Sequence, residues 1–207
     1  RSVSRGLGDV YKRQTGSGKT EIYMQLIEHV VMEGKQAIVL VPEISLTPQI
    51  MERFISRFGK RVSVTHSRLS LGERLDQWRK ARDGEISIII GPRSALFMPF
   101  SNLGVIVMDE CHESSYISDV TPKYHTREVA RKLSELTGAL LVMGSATPDI
   151  DSYHRAVTGE FLLLQLKERT KGSRLPEVFV TDMRKELEDG NCLLYTSPSP
   201  RDTERSR

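Results

Sequence analysis

Short apolar runs alternate with amphipathic stretches along most of this chain. The runs at 37–42, 62–66, 86–91, 104–110 and 139–146 are rich in Val and Ile and too short for ordinary helices, so they read as strands. Few polar residues interrupt them, so both faces of each strand are expected to be covered, as in a parallel sheet. Residues 18–33, 45–58, 70–83 and 125–136 carry apolar side chains at helical spacing. Strand and helix in alternation predict an α/β fold, a doubly wound and mostly parallel sheet. Segments 161–166 and 177–182 read as two further strands, forming an edge or opening another lobe, around a Lys/Arg-rich link at 167–174. Ligands of such sheets bind at the carboxyl ends of the strands. The residues just after each run therefore carry the candidate chemistry.

Three segments stand at such places. Thr15-Gly-Ser-Gly-Lys-Thr20 reads as a phosphate-binding loop opening a helix. Gly16 and Gly18 let backbone N–H groups approach phosphate oxygens, Lys19 reaches the β and γ phosphates, and the Thr20 hydroxyl holds Mg²⁺. Thr15, Ser17 and the helix N-terminus complete the cradle. Asp109 and Glu110 end the apolar run 105–108; Asp109 is suited to hold Mg²⁺, and Glu110 to orient or deprotonate the attacking water. Gly144-Ser-Ala-Thr-Pro148 follows another strand and offers the hydroxyls of Ser145 and Thr147, with Ala146 between, on a tight turn before a helix. His112 is placed to bond across to that turn and couple the nucleotide to a second ligand, although a lone histidine also reads as structural. Cys111 is assigned no chemistry, and His29, His66 and His154 read as structural. Trp78, with Leu71 and Leu75, reads as core or helix-face packing.

The two ends differ from the rest. Residues 4–14 and 192–202, eleven at each end, can be encoded by opposite strands of one oligonucleotide, shifted by one base, and resemble a translated sequencing adapter. Residues 1–14 and 192–207 are therefore set aside as non-native flanks. That leaves 15–166 as the nucleotide-binding domain and 167–191 as a link. The domain is then expected to lack the strand before its phosphate loop and to be marginally stable. Arg13, where the full loop pattern has glycine, falls in the flank. The flanks hold seven of the 30 basic and three of the 27 acidic residues, so the formal charge of +3 becomes −1 without them. The bulk charge consequently says nothing in favour of nucleic acid. With Cys192 in the flank, Cys111 alone can build neither a disulfide framework nor a zinc site, in keeping with a cytoplasmic protein. No apolar run approaches the ~20 residues that span a bilayer, and no membrane partner is expected.

In this order the three segments look like motifs I, II and III of a superfamily 2 helicase. Residues 41–49 (VPEISLTPQ), 91–97 (GPRSALF), 15–23 (TGSGKTEIY) and 182–184 (DMR), with His66-Ser67 and Leu69-Ser70, resemble the primosomal replication-restart family of these helicases. The resemblance implies the first RecA-like lobe of an ATP- and Mg²⁺-dependent 3′→5′ DNA helicase. It implies single-stranded or forked DNA, primosome components and other restart proteins as partners. It also implies a zinc site in the full-length family whose ligands are absent here, as are an N-terminal DNA-binding region and a second lobe with its arginine finger. Thr47, Gln49, Arg93 and Ser94 are the DNA-backbone contacts so suggested. Tyr116, Tyr124 and His125 fall on what resembles an aromatic coupling loop, or else pack on the lobe. Cys111 stands where the family usually has Glu, and Pro92 where Thr is common. Two other readings stay open. One is a nucleotide-binding module without catalytic competence, half of its site being elsewhere. The other is a lobe of another superfamily 2 translocase; a P-loop kinase would have no use for the Ser-Ala-Thr turn.

Overall fold

The computed structural model describes residues 9–12 and 18–166, all within one compact unit that ends at Lys171. Its strands are β1 (Asp9–Lys12), β2 (Gln36–Leu40), β3 (Val62–Val64), β4 (Ile88–Gly91), β5 (Leu103–Met108), β6 (Ile117–Ser118), β7 (Tyr124–His125), β8 (Leu140–Ser145) and β9 (Leu162–Gln165). Its helices are α1 (Lys19–Met32), α2 (Pro48–Phe58), α3 (Leu71–Arg82), α4 (Thr126–Thr137) and α5 (Ile150–Val157). Seven strands form one sheet in the order β3-β4-β2-β5-β8-β1-β9, and every pairing in it is parallel. Strands β6 and β7 make a separate antiparallel pair.

The doubly wound expectation holds for a simple reason. Successive side chains of a strand point to opposite faces, and here both sets are apolar. On one face Ile38, Leu40, Ile106, Met108, Leu141 and Met143 pack with Ala81 of α3, Ala130 of α4 and Ala156 of α5. On the other, Ala37, Val39, Ile88, Ile90, Val105, Val107 and Val142 pack with Tyr23, Met24, Ile27, Val30 and Val31 of α1 and Phe54 of α2. The helices start where their caps are. Thr47 caps α2, with Pro48 in its first turn; Ser70 and Glu73 form a reciprocal capping box on α3; Asp149 caps α5.

One expectation is revised. The place before the phosphate loop is filled: Asp9–Lys12 pairs with Val142–Ser145 on one side and Leu162–Gln165 on the other. Parallel pairing is a matter of backbone hydrogen bonds, and Val10 and Tyr11 are strand-favouring types, so four residues assigned to a flank serve as a strand. The segment 161–166 is indeed a strand, β9, at the sheet edge, whereas 177–182 lies outside the described residues. Trp78 belongs to a helix face and not to the core: it is 40% exposed, with the Arg82 guanidinium 5.4 Å from its ring centroid. α3 buries only Ala81, because Leu71 and Leu75 also face solvent.

Candidate nucleotide site

Sheet order assembles the site. Strand β8 lies between β5 and β1, so the turn after β8 stands between the acid pair after β5 and the end of β1. Residues 13–17, including Thr15, Gly16 and Ser17, are outside the described residues. Gly18 caps α1 with φ 81°, a left-handed conformation open to glycine, and Lys19 and Thr20 form the first turn.

Lys19 is 6% exposed. Its Nζ donates to Glu110 Oε1 at 2.8 Å and lies 3.9 Å from Asp109 Oδ1. Three residues, the outer two 91 positions apart in sequence, thus form one ion cluster. Burial pushes the Asp109 carboxyl above its usual range; Lys19 pulls it down, and Glu110 pushes it up again. Glu110 takes φ 45°, costing on the order of 1 kcal/mol for a residue other than glycine. The turn is held by Cys111 N–H donating to Gly144 O at 2.9 Å and Glu113 N–H to Glu110 O at 2.9 Å. Glu110 Oε2 is buried with no hydrogen-bond partner among the described residues, an orphaned acceptor beside the phosphate-loop lysine.

The Ser-Ala-Thr turn meets His112 as expected. Ser145, fully buried, has its Oγ 2.8 Å from His112 Nδ1, the donor depending on the imidazole tautomer, and accepts from Thr147 N–H at 3.0 Å. Ala146 lies between these two, and Thr147 is exposed. Arg127 holds the start of α5 just after this turn, donating to Asp149 Oδ2 at 2.9 Å, to the Ser152 hydroxyl and to Asp151 Oδ2 at 3.3 Å. Burial pushes Asp149 up, but bonds from Ser152 and the Arg127 charge outweigh it and leave the carboxyl below its usual range. That depression adds stability at neutral pH which is lost as pH falls through the folded-state pKa. Arg127→Ala is expected to lower stability by about 1–2 kcal/mol, a buried-pair loss reduced by the partial exposure of Asp149 and Asp151. An unchanged urea midpoint at pH 7 would show that Arg127 contributes nothing there.

The suggested DNA-contact residues sit at the carboxyl ends of β2 and β4. Thr47 and Gln49 are exposed at the start of α2, and Thr47 Oγ1 accepts from Ile50 N–H at 3.4 Å as a cap. Ser94 is exposed. Arg93 donates to the carbonyls of Ser115 and Ile117 at 2.9 and 2.8 Å, which ties it to the segment after the acid pair. Arg93, Ser94, Glu43, His66, Ser67 and Arg74 line a groove of about 310 Å³. Of the aromatic residues, Tyr116 is buried, with its hydroxyl donating to Asp109 O at 2.7 Å. Tyr124 meets Phe97 edge-on, and His125 caps α4. Cys111 is 3% exposed, and burial pushes its thiol up to about 12, so it is an inert core residue.

Two residues escaped the sequence reading. Tyr23, 2% exposed, donates its hydroxyl to Asp109 Oδ1 at 3.2 Å, and burial drives its pKa far up. Its position four residues after Lys19, on the same helix face, was the available signal. Arg127 carried no signal short of the fold.

The donor set fits a magnesium nucleotide. Among the described residues no three His, Cys, Asp or Glu side chains gather to hold a metal by themselves. Mg²⁺ ordinarily takes one or two carboxylates, with water and substrate phosphates supplying the rest, and the Asp109 carboxylate beside Lys19 is a ligand of that kind. No helix among the described residues is long and apolar enough to cross a membrane.

Comparison with known proteins concerns the sequence and the fold. The chain is 54% identical over 182 residues to the replication restart protein PriA of Bacillus subtilis (strain 168), which covers 88% of this chain and 23% of that protein. It is 46% identical over 170 residues to PriA of Haemophilus influenzae, covering 82% and 23%, and 46% identical over 187 residues to PriA of Synechocystis, covering 88% and 22%. The chain thus spans about a quarter of the length of these curated relatives. Among solved structures, RecG bound to a three-way DNA junction superposes with TM-score 0.56 at 22% identity, over 81% of this chain and 21% of RecG. The Hef helicase domain of Pyrococcus furiosus gives 0.57 at 20% identity, over 79% and 36%; at these identities the likeness concerns the fold. Residues 9–156 match the family described as DEAD/DEAH box helicase, and with its phosphate-loop lysine set against the acid pair, the chain belongs to that family.

Proposed function

We propose that this chain is the ATP-binding lobe of a 3′→5′ DNA helicase acting in replication restart, in the cytoplasm, on single-stranded or forked DNA and with primosome proteins. The observation that carries the reading is the Lys19–Glu110–Asp109 cluster at the carboxyl end of the parallel sheet. The chain's similarity to PriA proteins supports the biological setting, and the exposed Thr47 and Gln49, with Ser94 in the Arg93 groove, support the DNA face.

Each residue then has a task. The phosphate loop and Lys19 bind the nucleotide, and Thr20 with Asp109 holds Mg²⁺, which supplies charge neutralisation on the transferring phosphoryl group. Without nucleotide, Lys19 is paired with Glu110. Phosphate oxygens compete for that ammonium, so binding frees the Glu110 carboxylate to take a proton from water. The His112–Ser145 contact relays the change toward the strand-binding face.

Titration of a fluorescent ATP analogue with and without Mg²⁺, followed by phosphate release with and without single-stranded DNA, tests this. DNA-stimulated release is the expected result. Tight binding with no stimulated turnover favours the second reading, a module incompetent by itself. Absence of nucleotide binding would sink both.

A further inference from the structure

We propose that Tyr23 is a positioning residue for the metal-holding carboxylate and that it joins this carboxylate mechanically to the Gly144 turn. The proposal rests on the nucleotide-site reading given above. Tyr23 stands one helical turn beyond Lys19, so both side chains leave α1 on the same face, toward the end of β5. Its hydroxyl donates to Asp109 Oδ1 at 3.2 Å, the oxygen that Lys19 also faces. A hydroxyl buried this deeply needs its acceptor, and a carboxylate acceptor makes the bond a strong, orienting one. One Asp109 oxygen is thereby fixed by the phenol, and the carboxylate plane is set.

The second contact is with glycine. A Cβ on Gly144 would coincide with the Tyr23 hydroxyl, lie 2.9 Å from its Cζ and come within 3.4 Å of Asp109 Oδ1. Glycine is required here so that the phenol can reach Asp109 at all. Gly144 also receives the Cys111 N–H through its carbonyl, and its neighbour Ser145 contacts His112. Movement of the turn that reads the second ligand therefore presses on the same hydroxyl that orients Asp109. The phosphate-loop helix, the acid pair and the Ser-Ala-Thr turn meet at one oxygen atom.

The test uses Tyr23→Phe, which keeps the ring and removes the hydroxyl. A fluorescent ATP analogue is titrated against the whole chain in Mg²⁺ and in EDTA. The gain in affinity brought by Mg²⁺ is expected to shrink about tenfold, the size of one hydrogen bond to a charged group, with a matching rise in half-saturating Mg²⁺. A purely structural tyrosine would move both titrations together, and that result, or an unaltered Mg²⁺ gain, overturns the positioning role. The link to Gly144 is read separately, from melting of Gly144→Ala in the parent and in the Tyr23→Phe chain. The alanine is expected to destabilise the parent clearly more than the phenylalanine variant, and strict additivity overturns the link. Failure of the parent to bind nucleotide would instead overturn the site reading, while the melting comparison would still decide the contact.

Discussion

Glu110→Gln is expected to slow ATP hydrolysis by about 10²–10⁴-fold, the usual span for loss of a positioned general base, while nucleotide affinity stays the same or improves. Both expectations come from the same geometry. Glu110 is held in the left-handed conformation, with one oxygen on Lys19 and the other without a hydrogen bond among the described residues. Glutamine has the same shape and keeps an oxygen for Lys19, but it cannot accept a proton from water. It also no longer competes as an anion for the ammonium, so phosphates find Lys19 less strongly engaged. Single-turnover phosphate release against the affinity of an ATP analogue separates the two effects. A release rate within about threefold of the parent's, well under that span, would remove Glu110 from this role.

Lys19→Ala is expected to act in the opposite sense, abolishing measurable nucleotide binding and weakening the fold. Its ammonium is nearly excluded from water and faces two carboxylates. Removing it leaves Asp109 and Glu110 adjacent without a counter-charge, and a buried pair broken on one side costs about 3–5 kcal/mol, fewer here because both acids are partly exposed. The loss has a pH signature. Burial already raises the Asp109 pKa, and Lys19 opposes that rise; without Lys19 it climbs further. An acid whose folded-state pKa is raised binds its proton more tightly in the folded state, so stability falls as pH rises from the unfolded value through the folded one. The variant should therefore lose most against the parent at neutral pH and least below the ordinary aspartate range. Urea midpoints across pH 3 to 8, as an order-of-magnitude window around that range, would show this, and a loss independent of pH would contradict it.

Much of the site was legible because its residue types have few alternative uses in that arrangement. A lysine opening a helix, two acids ending a buried strand, and hydroxyls on a turn after another strand meet where parallel-sheet topology says they should. Other features were hidden for physical reasons. Tyr23 stood in the sequence only as the last residue of the segment 15–23, since its role lies in a single hydroxyl reaching a carboxylate 86 residues away. Gly144 looked like part of a turn, whereas its need for glycine comes from another element's side chain. Arg93 carried a suggestion of DNA contact, and its guanidinium is found on two backbone carbonyls of its own lobe. Asp9–Lys12 was set aside on coding grounds, and codons are blind to whether a peptide backbone can pair. α3 misled in the other direction, because an apolar spacing of Leu71, Leu75 and Trp78 does not say whether anything lies against it.

The seat of β1 has a consequence for how the molecule is made. Asp9 pairs with Val142 and Leu162, so the first strand among the described residues has both its neighbours far along the sequence. Contacts of such separation form late and slow folding. At the usual ribosomal pace of about 5–20 residues per second, β1 waits on the order of ten seconds for its partners to be synthesised. Strands β2 to β5 can assemble first, and the sheet closes around β1 last. The candidate nucleotide site, whose Ser-Ala-Thr turn follows the strand paired with β1, would then be among the final parts to take shape, and a half-made chain should bind no nucleotide while it is still on the ribosome.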